Sequence, residues 1–168
     1  MFFKKNCPNC GTGNRKDATT CSRCGIRFEL RQGDREAVKD YDEAVRLNPQ
    51  SAEAYYKRGF VYQKMGQRER AIDDFDKAVH IDPQFVRAYS NRAFAYLNNN
   101  QYDLAIADCT KAMNLDPNDA VARLNRGVAY RLQDNIAEAK ADFEKVIDLS
   151  DNPRVIEMAR RCIKELSK

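Results

Sequence analysis

The chain has 168 residues, 43% of them hydrophobic and 32% charged, with only seven Gly and five Pro. That balance favours an ordered, helix-rich protein and excludes a disordered one, and no apolar run approaches the roughly 18 residues a membrane span needs. The formal charge of +4 is uneven: Lys4, Lys5, Arg15, Lys16, Arg23, Arg27 and Arg31 face only Asp17 and Glu29 in residues 1–33, so all the net positive charge lies there.

The N-terminus, MFFKKNCPNC, has two Phe and two Lys but no apolar stretch of signal-peptide length, which predicts a cytoplasmic protein. In that reducing compartment six cysteines are poor candidates for structural disulfides. Four of them, Cys7, Cys10, Cys21 and Cys24, form two CxxC pairs with ten residues between them. A two-residue spacer lets both thiolates turn toward one ion, and two such loops complete a tetrahedral set with metal–sulfur distances of about 2.3 Å for zinc. Zinc is the expected metal, with iron the alternative because thiolate tetrahedra accept both. A redox pair would instead stand alone beside a βαβ pattern, which the sequence lacks.

CPNCG followed by CSRCG resembles the short zinc-ribbon modules that begin with CPxCG and end with CxxCG around a brief hairpin. The resemblance assigns residues 1–31 to a zinc ribbon. Four thiolates leave no position open for water or substrate, so the metal is expected to be structural. A segment of this size has too little core to fold alone, and the metal would supply its folding energy.

Next in the chain, AVKDYDEAVRLNPQ (37–50) has the pattern of a helix closed by Pro49. It matches the second half of a unit that then recurs three times without gaps at a period of 34, over residues 51–84, 85–118 and 119–152. Tyr62, Tyr96 and Tyr130 share one column, as do Ala71, Ala105 and Ala139, then Gly59, Ala93 and Gly127, then Phe75, Cys109 and Phe143. Small residues where helices cross and large ones between them suit stacked helical hairpins, and Pro83 and Pro117 stop the second helix of their units. Each unit reads helix, turn, helix.

These columns resemble the tetratricopeptide repeat, which implies an all-α solenoid of helical hairpins. Residues 34–50 would be a half repeat lacking its first helix, its place taken by the ribbon. Ile26, Phe28 and Leu30 would then cap the uncovered face of that half repeat. Residues 153–168, PRVIEMARRCIKELSK, start with Pro in a first-turn position and read as the amphipathic helix that caps such an array. Two departures mark the third repeat: Arg123 stands where Tyr55 and Tyr89 stand, and the closing proline arrives late, as Pro153.

A second periodicity runs through Asp40, Asp74, Asp108 and Asp142 and through Arg58, Arg92, Arg126 and Arg160. Each Arg follows one Asp by 18 residues and, within a hairpin, precedes the next by 16. Pairing between neighbouring hairpins uses all eight groups, whereas pairing within a hairpin orphans Asp40 and Arg160. The expectation is therefore a ladder of inter-repeat Asp–Arg bonds, for which the planar guanidinium is suited.

The resemblance also implies that the inner face of the first helices forms a groove for an extended or helical peptide. By phase that face holds Glu53, Tyr56, Lys57, Phe60 and Lys64, then Arg87, Ser90, Asn91, Phe94 and Asn98, then Leu124, Asn125, Val128 and Arg131. Tyr56, Phe60 and Phe94 are the expected anchors, since aromatic side chains lose little entropy on binding. Asn91 and Asn125 are placed to bond a ligand backbone. YSNRAFAY (89–96) resembles the middle repeat of members that clamp chaperone C-terminal carboxylates, with Asn91 as the clamp Asn. The other four clamp positions do not match, Tyr56 and Phe60 standing at the first repeat's pair and Val121 and Asn125 at the third's.

An enzyme finds little support: there is one His, His80, no phosphate-binding loop or nucleophile elbow, and Cys109 and Cys162 fall in packing columns. The expected function is a non-enzymatic protein-interaction scaffold. The alternative is a nucleic-acid-associated protein whose ribbon cations contact phosphates. Zinc with four thiolates contributes −2, which lowers the ribbon from +5 to about +3, modest for that role.

Overall fold

The computed structural model describes Lys5–Asn6, Gly13–Asn14 and residues 31–166, with side chains from residue 33 onward. Cys7, Cys10, Cys21 and Cys24 lie outside the described residues, as do Ile26, Phe28 and Leu30. The chain divides into two compact units, Met1–Ile81 and Asp82–Lys168.

In the first unit a two-residue pair, β1 (Lys5–Asn6) and β2 (Gly13–Asn14), runs antiparallel with Lys5 opposite Asn14 and Asn6 opposite Gly13. Three helices follow: α1 (Arg31–Leu47), α2 (Ala52–Lys64) and α3 (Arg68–Ile81). α1 stops two residues before Pro49, and α2 is capped by Ser51, whose Oγ accepts the Ala54 N–H at 3.2 Å; a proline cannot continue a helix and a serine caps one. α2 and α3 form an antiparallel hairpin, and α1 packs on α2.

The second unit repeats the hairpin as α4 (Val86–Asn98) with α5 (Tyr102–Leu115), and as α6 (Ala120–Leu132) with α7 (Ile136–Leu149), and ends in α8 (Pro153–Leu166). α5 stops two residues before Pro117, as α3 does before Pro83. Pro153 is the first residue of α8, where its missing N–H costs nothing, and Asn152 Oδ1 accepts the Arg154 N–H at 3.0 Å.

The turn inside each hairpin places one residue in the left-handed region: Gly66 at φ 74°, Asn100 at 58° and Asp134 at 63°. These are the residue types that adopt it at least cost, and they stand 34 apart.

Packing within the hairpins is graded by size. A Cβ added to Gly59 would lie 3.0 Å from the Phe75 ring, and one added to Gly127 only 2.7 Å from Phe143 Cε1. Both phenyl rings are fully buried, each worth about 2–3 kcal/mol of burial. Where Cys109 replaces the aromatic, Ala93 replaces the glycine, and both are fully buried. The alanine column, Ala71, Ala105 and Ala139, is fully buried too. In the second unit Ala93, Leu97, Ala105, Cys109 and Ala129 make one core cluster. Leu124, Ala139, Phe143, Val146, Ala159 and Cys162 make another, which α8 closes.

The ladder forms, but not with the expected partners. Arg58 donates Nε and Nη2 to Asp74 at 2.8 and 2.7 Å, Arg92 to Asp108 at 2.7 and 2.6 Å, and Arg126 to Asp142 at 2.7 and 2.8 Å. Each pair lies within one hairpin, so the expected inter-repeat pairings are corrected: within the units, Asp40–Arg58, Asp108–Arg126 and Asp142–Arg160 give way to these bonds. The reason is burial. Asp74, Asp108 and Asp142 are nearly inaccessible and demand a partner from the helix packed directly against them. Asp40 and Arg160 are exposed, and water serves them at little cost.

Neighbouring hairpins are bonded through a different column. Arg58 Nη1 reaches Asp42 Oδ1 on α1 at 2.8 Å, and Arg126 Nη1 reaches Thr110 Oγ1 on α5 at 3.3 Å. The carboxylates hold the Arg58 and Arg126 guanidinium groups still further above their ordinary range, Asp74 and Asp142 being the largest causes. Aromatic rings cover these forks. Tyr55 lies 5.5 Å from the Arg58 guanidinium, Tyr89 5.5 Å from that of Arg92 and Tyr130 5.7 Å from that of Arg126.

Candidate functional site

On α2, Tyr56, Phe60 and Lys64 recur every fourth residue and so form one stripe. The Tyr56 and Phe60 rings stack with centroids 6.3 Å apart, and Lys64 Nζ sits 4.7 Å from the Phe60 centroid. Tyr56 is steadied from below by Phe75, 5.9 Å away and tilted by 41°. Phe60 is 36% exposed. Lys57, beside the stripe, pairs with Glu53 at 3.4 Å. Together these residues form an aromatic shelf with an ammonium group at its C-terminal end.

In the second unit Phe94 is 42% exposed on α4, in the same repeat position as Phe60. Arg87 and Asn98 are exposed along the same helix, and Asn91 is half-buried. Asn91 Nδ2 donates to the Arg87 carbonyl and Asn98 Nδ2 to the Phe94 carbonyl, both at 2.9 Å. These bonds hold both amides against their own helix.

The third set of candidates is drawn inward. α4 packs against α6, so Leu124 is a core residue and Asn125 is buried, its Nδ2 donating to the Ser90 carbonyl at 3.4 Å. The expectation that Asn125 faces a ligand is corrected: its amide is an inter-hairpin link. Ser90 is likewise buried and donates to Asp119 Oδ2 at 2.6 Å. Val128 is half-buried against both core clusters. Arg131 is engaged by Glu165 of α8 at 2.5 Å.

Three contributors were missed in the sequence. Asp119 caps α6, its Oδ1 accepting the Val121 and Ala122 N–H groups at 3.0 and 2.9 Å while Oδ2 accepts a hydrogen bond from the Ser90 hydroxyl. An Asp just before an apolar helix was the available signal. Glu165 had no signal, because its partner is 34 residues away on another helix. Arg123, which departs from the column of Tyr55 and Tyr89, leans on Asp142 at 3.5 Å.

Burial pushes the Cys109 thiol far up, with Asp108 adding to the shift, and burial also raises Cys162. Both stay protonated and serve packing. Among the described residues no three His, Cys, Asp or Glu side chains gather as a metal site, and no helix is long and apolar enough to cross a membrane.

Antiparallel helix pairs at a period of 34, with small-to-large packing inside each and exposed aromatic residues on the first helices, define a helical-hairpin repeat protein. Family models described as TPR repeat and tetratricopeptide repeat match residues 34–66, 52–85, 75–107 and 92–164. The chain is 30% identical to the Arabidopsis OM64 TPR domain, covering 68% of this chain and 93% of that one with a TM-score of 0.64. It is also 30% identical to the first TPR of Spaghetti (RPAP3) bound to the HSP90 peptide SRMEEVD, covering 71% and 95% with a TM-score of 0.64. The second TPR domain of human RPAP3, in complex with the HSP70 peptide SGPTIEEVD, is 28% identical over 81% and 99%, with a TM-score of 0.61. A comparison with curated protein sequences returned no match. The chain belongs to the tetratricopeptide repeat family.

Proposed function

We propose that the protein is a non-enzymatic interaction adaptor that binds a peptide or partner helix on the exposed faces of its first helices. The observation that carries this reading is the pair of accessible phenyl rings, Phe60 and Phe94, in equivalent positions of two hairpins. Leaving such rings in water forgoes burial of the kind that a partner's apolar side chain restores. Peptide-bound relatives at 28–30% identity support the same use of the fold.

Tyr56, Lys57, Phe60 and Lys64 on α2, and Arg87, Asn91, Phe94 and Asn98 on α4, are the proposed contacts, with Val128 and Arg131 at the margin on α6. The relatives' peptides both end in EEVD. Here two aromatic side chains, Tyr56 and Phe60, stand where a carboxylate clamp places polar and basic groups. The proposed ligand is therefore recognised by apolar side chains, with acidic neighbours meeting Lys64 on α2 or Arg87 on α4, and not chiefly by a terminal carboxylate.

For the N-terminal segment we propose a structural zinc ribbon, with iron as the alternative metal, capping the half repeat. The donor set fits: Cys7, Cys10, Cys21 and Cys24 offer four thiolates and no open position. The β1–β2 pair supports it, since Asn6 and Gly13, which lie opposite each other, flank the first CxxC in the sequence. When bound, the metal would supply folding energy to residues 1–31. Selection of displayed random peptides on the metal-loaded full chain, counter-selected on a folded Tyr56→Ala/Phe60→Ala/Phe94→Ala variant, tests the binding role. Enrichment of apolar–acidic sequences on the wild type alone is expected. No enrichment, or equal enrichment on both, would overturn it.

A further inference from the structure

The ion clusters of the two units are not equivalent in charge. In the first unit one guanidinium, Arg58, meets two carboxylates, Asp74 and Asp42. In the second, Arg92 pairs with Asp108, but in the last hairpin two guanidinium groups, Arg126 and Arg123, share the carboxylate of Asp142. The residue in the Asp42 position is Thr110, which Arg126 Nη1 reaches at 3.3 Å through a neutral hydroxyl. Asp119, the acid nearest in sequence to Arg123, is committed to its helix cap and to Ser90.

Arg123 is poorly satisfied. Its side chain is only 18% exposed, its contacts to Asp142 and to the Pro117 carbonyl are both 3.5 Å, and its Nε is buried with no partner among the described residues. A largely buried guanidinium with loosely made bonds is costly unless an anion compensates it. The equivalent positions carry Tyr55 and Tyr89, so the second cation is peculiar to this hairpin.

We propose that Thr110, Arg123 and Arg126 form a binding site for a small free oxyanion of the phosphate class. The planar guanidinium of Arg123 matches phosphate oxygens, Arg126, whose Nε and Nη2 stay on Asp142, adds Nη1, and the Thr110 hydroxyl supplies a further donor where the first unit has a carboxylate. The anion restores the charge balance that Asp42 provides around Arg58. It also links α5 to α6 and so stiffens the joint between two hairpins.

The test is thermal unfolding of the full chain in inorganic phosphate against chloride at matched ionic strength. Wild type is expected to gain about 3 °C or more in 10 mM phosphate. Arg123→Tyr, which restores the side chain of the other repeats, and Thr110→Asp, which restores the acid column, should each lose that gain. Thr110→Asp should in addition melt higher than wild type in chloride. A wild type that gains nothing beyond chloride, or a folded variant that gains as much as wild type, overturns the proposal.

Discussion

Arg58 and Asp74, sixteen residues apart, close their hairpin with two parallel hydrogen bonds of 2.8 and 2.7 Å, and Arg92–Asp108 and Arg126–Asp142 repeat the arrangement. The three carboxylates are among the few buried charges of the described residues. Each therefore matters less as an attraction than as a buried charge that must be partnered within its own hairpin. Replacing Asp142 by Ala strands Arg126 and Arg123 together, and the cost is expected to be about 3 kcal/mol in urea unfolding. The double variant Arg126→Met/Asp142→Leu should recover part of that loss. A single variant as stable as wild type would show that the pair is not needed.

Gly127 admits the Phe143 ring so closely that a methyl group cannot enter without displacing it. Gly127→Ala is expected to cost about 1–3 kcal/mol through overpacking, despite alanine's better helix propensity. Gly59→Ala, with 3.0 Å to Phe75, should cost less. Denaturant midpoints of the two variants check the order.

How much of this was legible in the sequence follows from what each signal encodes. The period of 34 and its small and aromatic columns encode hairpin packing, so the helices and the glycine–phenylalanine contacts could be read directly. The Asp–Arg periodicity could not choose its own partners, because an arginine 18 residues after one aspartate is also 16 before the next. Counting satisfied groups favoured the wrong choice, since it charged Asp40 and Arg160 a penalty that exposed ions do not pay. The exposure of Phe60 and Phe94 follows from phase, but the burial of Ser90 on α4 does not. Nor does that of Asn125 and Leu124, because it depends on α4 meeting α6, a contact between helices that are not adjacent in the chain.

Asp119 joins two roles, capping α6 and receiving Ser90 from α4. Asp119→Ala should cost about 1–2 kcal/mol. Ser90→Ala, which spares the cap, should cost roughly 1 kcal/mol. Equal losses from the two variants would mean that the cap itself contributes nothing.

Cys109 gives a pH dependence of defined sign. Burial raises its folded-state pKa well above the ordinary thiol value of 9.0, so above that pH the unfolded chain gives up a proton that the folded chain keeps. Its contribution to stability is therefore complete below about pH 8 and falls as pH rises through 9 and beyond. Urea midpoints measured from pH 7 to 10 should decline more steeply for wild type than for Cys109→Ala. Parallel profiles would contradict the assignment.

The central claim is that the exposed aromatic residues of the first helices bind a partner peptide. Isothermal titration of a selected peptide against wild type, Phe60→Ala and Phe94→Ala, each confirmed folded by circular dichroism, tests it most directly. The account predicts that at least one ring carries a hot spot, with its removal weakening Kd by about tenfold or more. An unchanged Kd in both variants would contradict it.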